Sequence, residues 1–301
     1  MRIPSLLIGA AVAALLVVPA NAADGWVNGG WKTYDTRALK LESTAATVKV
    51  DVKDSGPMAV QISGVPDRVN GVRVWVSNNT LTVKCQDLNA VWDWKHWFDF
   101  SNLSTDPGKL QIHIAVPRGS ALDVESTVGP VDIGSTQGPL KFEVAGSSAS
   151  TVGNISQAHL EMAGSGKLTV GNVSGPVSAE TAGSGDIRIG DVAKMNASIA
   201  GSGSISVGRV NGPIDVDIAG SGDFSAASVL GPTKADIAGS GSVTIAGGEA
   251  NPLKVDIMGS GNVNIGGVAV NPTVDSMGSG TVRVKSCRGS GCNSSDLKIG
   301  S

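Results

Sequence analysis

Charge and aromatic rings are both scarce in this chain. Of its 301 residues, 16% are charged and 4% are aromatic. So little charge argues against a disordered polyelectrolyte. A formal net charge of −3 leaves no basic footprint for nucleic acid. Beyond residue 22 there is no apolar run approaching the ~20 residues that a membrane-crossing helix needs. The chain holds three histidines and three cysteines. Without a serine elbow or a Cys/His motif beside the histidines, nucleophilic catalysis has no support.

Glycine is what the chain has in excess, with 41 residues. Before the glycines begin, residues 1–22 read as a signal peptide. Arg2 gives a short positive start, Leu6 to Val18 an apolar stretch, and Ala20-Asn21-Ala22 a small-residue cleavage site. Pro19 ends the apolar stretch well short of a bilayer span. The sequence therefore predicts export, to the periplasm, the cell surface or the medium, with no membrane span once the signal is removed. Export permits disulfides. Cys287 and Cys292 lie close together in a Ser/Gly-rich tail and are the expected pair, leaving Cys85 free. Zinc at these thiols is a poor alternative, because no pair of histidines lies near them.

Internal repetition is the strongest signal. The motif Ala/Met-Gly-Ser-Gly recurs with its first glycine at Gly164, Gly183, Gly201, Gly220, Gly239, Gly259 and Gly278, and a variant adds Gly146. Successive spacings are 18, 19, 18, 19, 19, 20 and 19 residues. Apolar residues alternate on both sides of each glycine, as in Ile214-x-Val216-x-Ile218 before it and Val243-x-Ile245 after it. Period two marks strands with one buried face. A second corner carries Gly175-Pro176, Gly212-Pro213, Gly231-Pro232, Asn251-Pro252 and Asn271-Pro272, residues that set turn geometry.

Two strands and two corners in about nineteen residues leave no room for a crossover helix. The expected fold is all-β: a single-stranded parallel β-helix, or solenoid, of about eight rungs stacked ~4.8 Å apart. The glycines around the corner serines are expected to take positive φ. Residues 121–285 hold the regular repeats, and 286–301 form a tail with the disulfide. Residues 23–120 are less regular, with β-rich stretches at 47–52, 72–76, 81–84 and 111–116. They are expected to add wider N-terminal rungs and to cap the open edge, since bare edge strands recruit other chains.

The corners Gly183-Ser184-Gly185-Asp186 and Gly220-Ser221-Gly222-Asp223 resemble those of the head GIN domain of putative autotransporter adhesins. So does the strand Leu110-Gln111-Ile112-His113-Ile114-Ala115-Val116-Pro117 that leads into the repeats. The resemblance covers roughly residues 36–285. It implies the coil and says little of activity, because its motifs are the coil's corners. One departure from the family pattern is the aromatic insertion at 92–100.

Three features could carry chemistry. That insertion, Trp92 to Phe100, holds five of the eleven aromatic residues. Trp92, Trp94, Trp97 and Phe98 are its candidate binding residues, to stack on sugar rings or pack into a partner. The alternative is a hydrophobic cap folded onto the first rungs. Next, counting back three residues from each corner glycine gives Glu143, Glu161, Glu180, Ser198, Asp217, Asp236, Asp256 and Asp275. Stacked carboxylates could bridge calcium, but one per rung is few for an ion that takes six to eight oxygens, and a solvated wall explains them more simply. Neighbours ~4.8 Å apart repel by only ~0.9 kcal/mol in water. Finally, Asp215 with Asp217 is the best local pair for a carbohydrate-active enzyme, yet short corners provide no loops to wall a cleft. His159 falls on an outward file with Lys141, Ser178, Asn196, Asp215, Lys234, Lys254 and Thr273.

The sequence thus predicts an exported, non-enzymatic binding or adhesion-type scaffold with no cofactor or metal; it does not identify the ligand, for which a glycan or a cell-surface protein are candidates. A carbohydrate-active enzyme and a polymerising envelope module are the alternatives.

Overall fold

The computed structural model describes residues 27–85, 107–295 and 297–299. The signal segment 1–22 and the aromatic insertion 92–100 lie outside the described residues.

The repeats form a parallel β-solenoid. Glu143 pairs with Glu161, Glu161 with Glu180 and Asp217 with Asp236, each residue lying beside its counterpart one turn away. A turn of the coil has a long side, a short side and a third segment. In one turn these are Thr233–Gly239, Asp223–Ala226 and Ser228–Gly231, all within the single long strand Asp223–Gly239. The third segment makes the coil three-sided. Its inward file is Ile155, Val173, Val192, Val210 and Val229, all at most 2% exposed.

The period-two pattern has its expected cause: inward residues fill the interior and outward ones meet water. Residue volumes also balance within a turn. Phe224 is fully buried in the same turn as Ala226 and Ala235, two of the smallest core residues, as close packing of a fixed cross-section requires.

The Gly-Ser-Gly corner needs its two glycines for different reasons. The first of each pair, from Gly146 to Gly278, has φ between +116° and +133°, a region that side chains penalise. The second does not share this conformation, so the expectation of positive φ fails there. Close approach is its cause instead. A Cβ on Gly222 would lie 2.6 Å from the Gly203 carbonyl oxygen and against the Ile199 side chain of the preceding turn. Between the two glycines, the serine amide donates to the preceding turn's first glycine, as from Ser184 to Gly164 at 2.8 Å.

The corner after the short side was not foreseen. Asn154 Oδ1 accepts the Asn172 amide at 2.8 Å, Asn172 Oδ1 the Asp191 amide at 2.9 Å, and Asp191 Oδ1 the Arg209 amide at 2.8 Å. This ladder satisfies corner amides that have no strand partner. Its signal is the spaced Gly153-Asn154, Gly171-Asn172 and Gly190-Asp191. The Pro-containing pairs instead join the third segment to the long side, where the register shifts, as between Val173 and Pro176.

The N-terminal region departs from simple stacking. Strands β1 (Val27–Asn28) and β2 (Lys32–Tyr34) lead to β3 (Ala38–Glu42) and β4 (Thr47–Lys53), which make one turn. Strand β5 (Met58–Gly64), helix α1 (Pro66–Asn70) and strand β6 (Val72–Ser77) follow. Next come β7 (Thr80–Cys85) and β8 (Leu110–Pro117), then β9 (Ala121–Thr127) and β10 (Val131–Ile133). The β3–β4 turn lies between β7–β8 on one side and β9–β10 on the other. Turns therefore stack in an order that differs from chain order. Beyond β7–β8 the pairing turns antiparallel: β6 lies on β7, β5 on β8, and β1 and β2 on β5. These strands end the coil at this side.

From β9 onward nine turns follow in chain order, one more than the glycine count gave. The extra turn, β9–β10, lacks Gly-Ser-Gly and carries a bulge where Glu143 and Val144 face Glu125 and Thr127. At the other end, Cys287 and Cys292 form a disulfide with 5.7 Å between their Cα atoms, beyond which Leu297–Ile299 pairs with Val282–Val284. Cys85 is buried and outside any disulfide.

Candidate functional site

The long side carries two outward files of polar residues, two positions apart on every strand. Register places Glu42 and Glu125 ahead of Glu143 in the acidic file, two members that glycine counting missed because their turns lack the motif. Beside it run Lys40, Asp123, Lys141, His159, Ser178, Asn196, Asp215, Lys234, Lys254 and Thr273.

The second file clamps the first. Lys40 Nζ lies 2.7 Å from Glu125, and Lys141 Nζ lies 3.0 Å from Glu125 and 2.6 Å from Glu143. Lys254 lies 2.7 Å from Asp256. Lys234 reaches Asp236, with Asp215 at 3.5 Å and Asp217 at 3.9 Å. Lysine contacts and burial perturb the carboxyls in opposite directions. The hydrogen bond from Lys40 holds Glu125 below its usual range, and the one from Lys254 does the same for Asp256. Burial raises Asp123 and Asp217, with Lys141 and Lys234 respectively opposing it. Lys141 and Lys234 are raised by hydrogen bonds to Glu143 and Asp236. The stacked carboxylates therefore stand in a lattice of partly solvated ion pairs.

Asp215 and Asp217, the carboxylate pair singled out in the sequence, share one cation, Lys234. Asp217 lines a shallow depression with Asp236 and Asp256, and Asp215 is absent from that lining. Of the histidines, His113 Nε2 lies 2.5 Å from Asp51 and packs edge-on against Trp31 at 4.9 Å, while His159 Nε2 lies 2.7 Å from Glu161. His96 lies outside the described residues, as do Trp92, Trp94, Trp97 and Phe98. That insertion follows β7 and precedes β8 in the chain, the place where other turns carry the Gly-Ser-Gly corner.

Along the long side runs a groove of about 640 Å³ that sequence reasoning missed. It crosses seven stacked strands, from Thr80 through Ala38, Ala121, Pro139, Gln157 and Pro176 to Lys194. At ~4.8 Å per strand it extends ~29 Å along the coil axis. Lys40, Asp123, Lys141, His159, Ser178 and Asn196 form one wall, and small or rigid residues such as Ala38, Ala121, Pro139 and Pro176 the other. The small or rigid residues Ala38, Ala121, Pro139 and Pro176, each two positions before a member of the second file, were its sequence signal.

Taken together, the coil and its decorated side define a β-solenoid with an elongated polar surface. The chain belongs to the family described as putative auto-transporter adhesin, head GIN domain, whose model matches residues 42–228 and 216–295. No curated protein matches it. Among solved structures it is similar to a putative adhesin from Parabacteroides distasonis, at 15% identity over 88% of this chain and 96% of that one, with a TM-score of 0.50. A putative lipid binding protein from the same organism matches at 16% identity, covering 88% of this chain and 97% of that one, again with a TM-score of 0.50. At these identities the likeness shows the fold alone.

Proposed function

We propose that this chain is an exported, non-enzymatic scaffold of adhesion type that holds a glycan along the long side of its coil. The axial groove carries the reading. A ~29 Å channel across seven strands suits an extended chain better than a compact substrate. Its wall of lysine, aspartate, serine and asparagine side chains supplies the donors and acceptors that sugar hydroxyls need. Rigid stacked strands hold these groups at fixed spacing, so little order has to be gained on binding. Export rests on the signal-like residues 1–22, and an adhesive role accords with the family. The ion-paired state of Asp215 and Asp217 supports a non-enzymatic role.

Glycan-array and cell-surface binding would test the reading. Ser178→Trp, which fills the groove, should abolish binding, while Ser225→Trp on the short side should leave it intact. A Trp94→Ala/Trp97→Ala variant tests the competing site: loss there with Ser178→Trp unaffected would move the ligand to the aromatic insertion. Capture of a surface protein and of no glycan would replace the ligand class.

A further inference from the structure

On the long side one member of the acidic file, Glu161, is met by an imidazole instead of an ammonium group. Lysines reach the acidic file at Glu42, Glu125, Glu143, Asp217, Asp236 and Asp256. Beside Glu161 the corresponding residue is His159. Four consecutive carboxylates, Glu125, Glu143, Glu161 and Glu180, stand near the ammonium groups of Lys40 and Lys141, which contact the first two. That leaves a local formal charge of −2 when the imidazole is neutral. At the same point one oxygen each of Glu143 and Glu161 and a ring nitrogen of His159 lie within 4.8 Å of one another.

We propose that Glu143, His159 and Glu161 form a binding site for a first-row divalent metal ion of the zinc type. One imidazole with two carboxylates is a donor set for such ions, whereas calcium and magnesium take oxygen alone. Bonds of 2.0–2.2 Å around a tetrahedral ion put ligand atoms about 3.4 Å apart. The three side chains reach that by contracting through rotation of two partly exposed glutamates, with no strand moved. The backbone is already fixed, since Glu143 and Glu161 are paired residues on adjacent strands and His159 stands two positions from Glu161. The dication would balance the local charge that the lysines leave. It would also release Lys141 from Glu143 to its other partner, Glu125. Three protein ligands leave a coordination position for water or for an anionic group in the adjoining groove, which His159 also lines. The site stands on these side chains and not on the identity of the groove's ligand.

Calorimetric titration of the full chain, purified without an affinity tag, with zinc chloride at pH 7.4 tests the proposal. The reading is the difference between the native chain and His159→Ala, which removes any contribution from zinc bound elsewhere. We expect one zinc equivalent to be lost or weakened at least tenfold in His159→Ala and in Glu161→Gln. Lys141→Met should tighten binding, because it removes the competing ammonium. Calcium titrations should be the same for the native chain and His159→Ala. All three positions face outward, and unchanged melting curves would establish that the variants fold. No zinc uptake, or equal zinc affinity and stoichiometry in the native chain and His159→Ala, would overturn the site.

Discussion

From residue 139 onward each turn rests on the turn that precedes it in the chain, whereas the earlier turns interleave. The β3–β4 turn is held between strands that come later, β7–β8 and β9–β10. The repeats close contacts between residues about nineteen positions apart, such as Ala197 with Val216. The N-terminal end pairs Leu39 with Leu122 across eighty-three positions. One region is a series of equivalent local steps and the other is a single long-range assembly. The repeats should therefore tolerate the loss of a step, and the end should not tolerate the loss of a part.

The largest effect should come from removing residues 24–117. This uncovers β9 and β10 and leaves their amides, carbonyls and inward leucine and valine side chains without a layer above them. Bare strand edges recruit other chains. Light scattering should show oligomers or aggregates, and a well-behaved monomer would mean that the antiparallel strands are no cap.

Next in size is a substitution inside the repeats. Gly222→Val drives a side chain into the Gly203 carbonyl and Ile199 and should cost about 1–3 kcal/mol, as overpacking does. Ser225→Ala, on the outward face of the same turn, should stay within about 0.5 kcal/mol. Urea melts would separate the two, and equal losses would show the register to be wrong.

A smaller effect, of opposite sign, is expected at Thr181. Its hydroxyl is buried without a hydrogen-bond partner, in an inward file with Met162 and Ile199. Thr181→Val keeps the shape, removes that polar atom and should stabilise the fold by about 1 kcal/mol. An unchanged or lower urea midpoint would argue against it.

The smallest expected effect is a pH-dependent one at Asp217. Burial raises its folded pKa above the unfolded value, so the native state holds that proton more tightly and ionisation weakens the fold. Asp217→Asn should therefore raise the melting midpoint slightly at pH 7. The gain should fade as pH falls through the folded pKa toward the unfolded one. Glu125 and Asp256, whose folded pKa values are lowered, contribute in the opposite sense: their stabilisation is present above the unfolded pKa and is lost on acidification. A gain that persists at pH 3 would assign the effect to something other than this carboxyl.

The same contrast governs what could be read from the sequence. The repeats were legible because their contacts are periodic: Gly164, Gly183 and Gly201 mark the corner, and the register of Glu143, Glu161 and Glu180 follows by counting. The glycine count passed over the β9–β10 turn, though it lies within the expected repeat region, because that turn lacks the motif. The insertion of β3–β4 between later strands has no local signature, since Leu39 carries no mark of its pairing with Leu122. The turn at Asn78-Asn79, with φ of 48° and 60°, did have one, as a two-residue link between alternating segments. For the site, the outward files were legible and their chemistry was not. Whether Lys141 clamps a glutamate or faces solvent depends on neighbours one turn away. The groove depends on the shape of seven turns together.

The most direct test of the account is deletion of residues 220–238, one complete turn of the repeat, with thermal melting and light scattering as the readouts. The deletion joins Ala219 to Gly239, which already stands beside Gly220 in the stack. The account predicts a soluble monomer that melts cooperatively, a few degrees below the full chain. Aggregation or loss of cooperative melting would contradict the claim that the turns are equivalent steps of one coil.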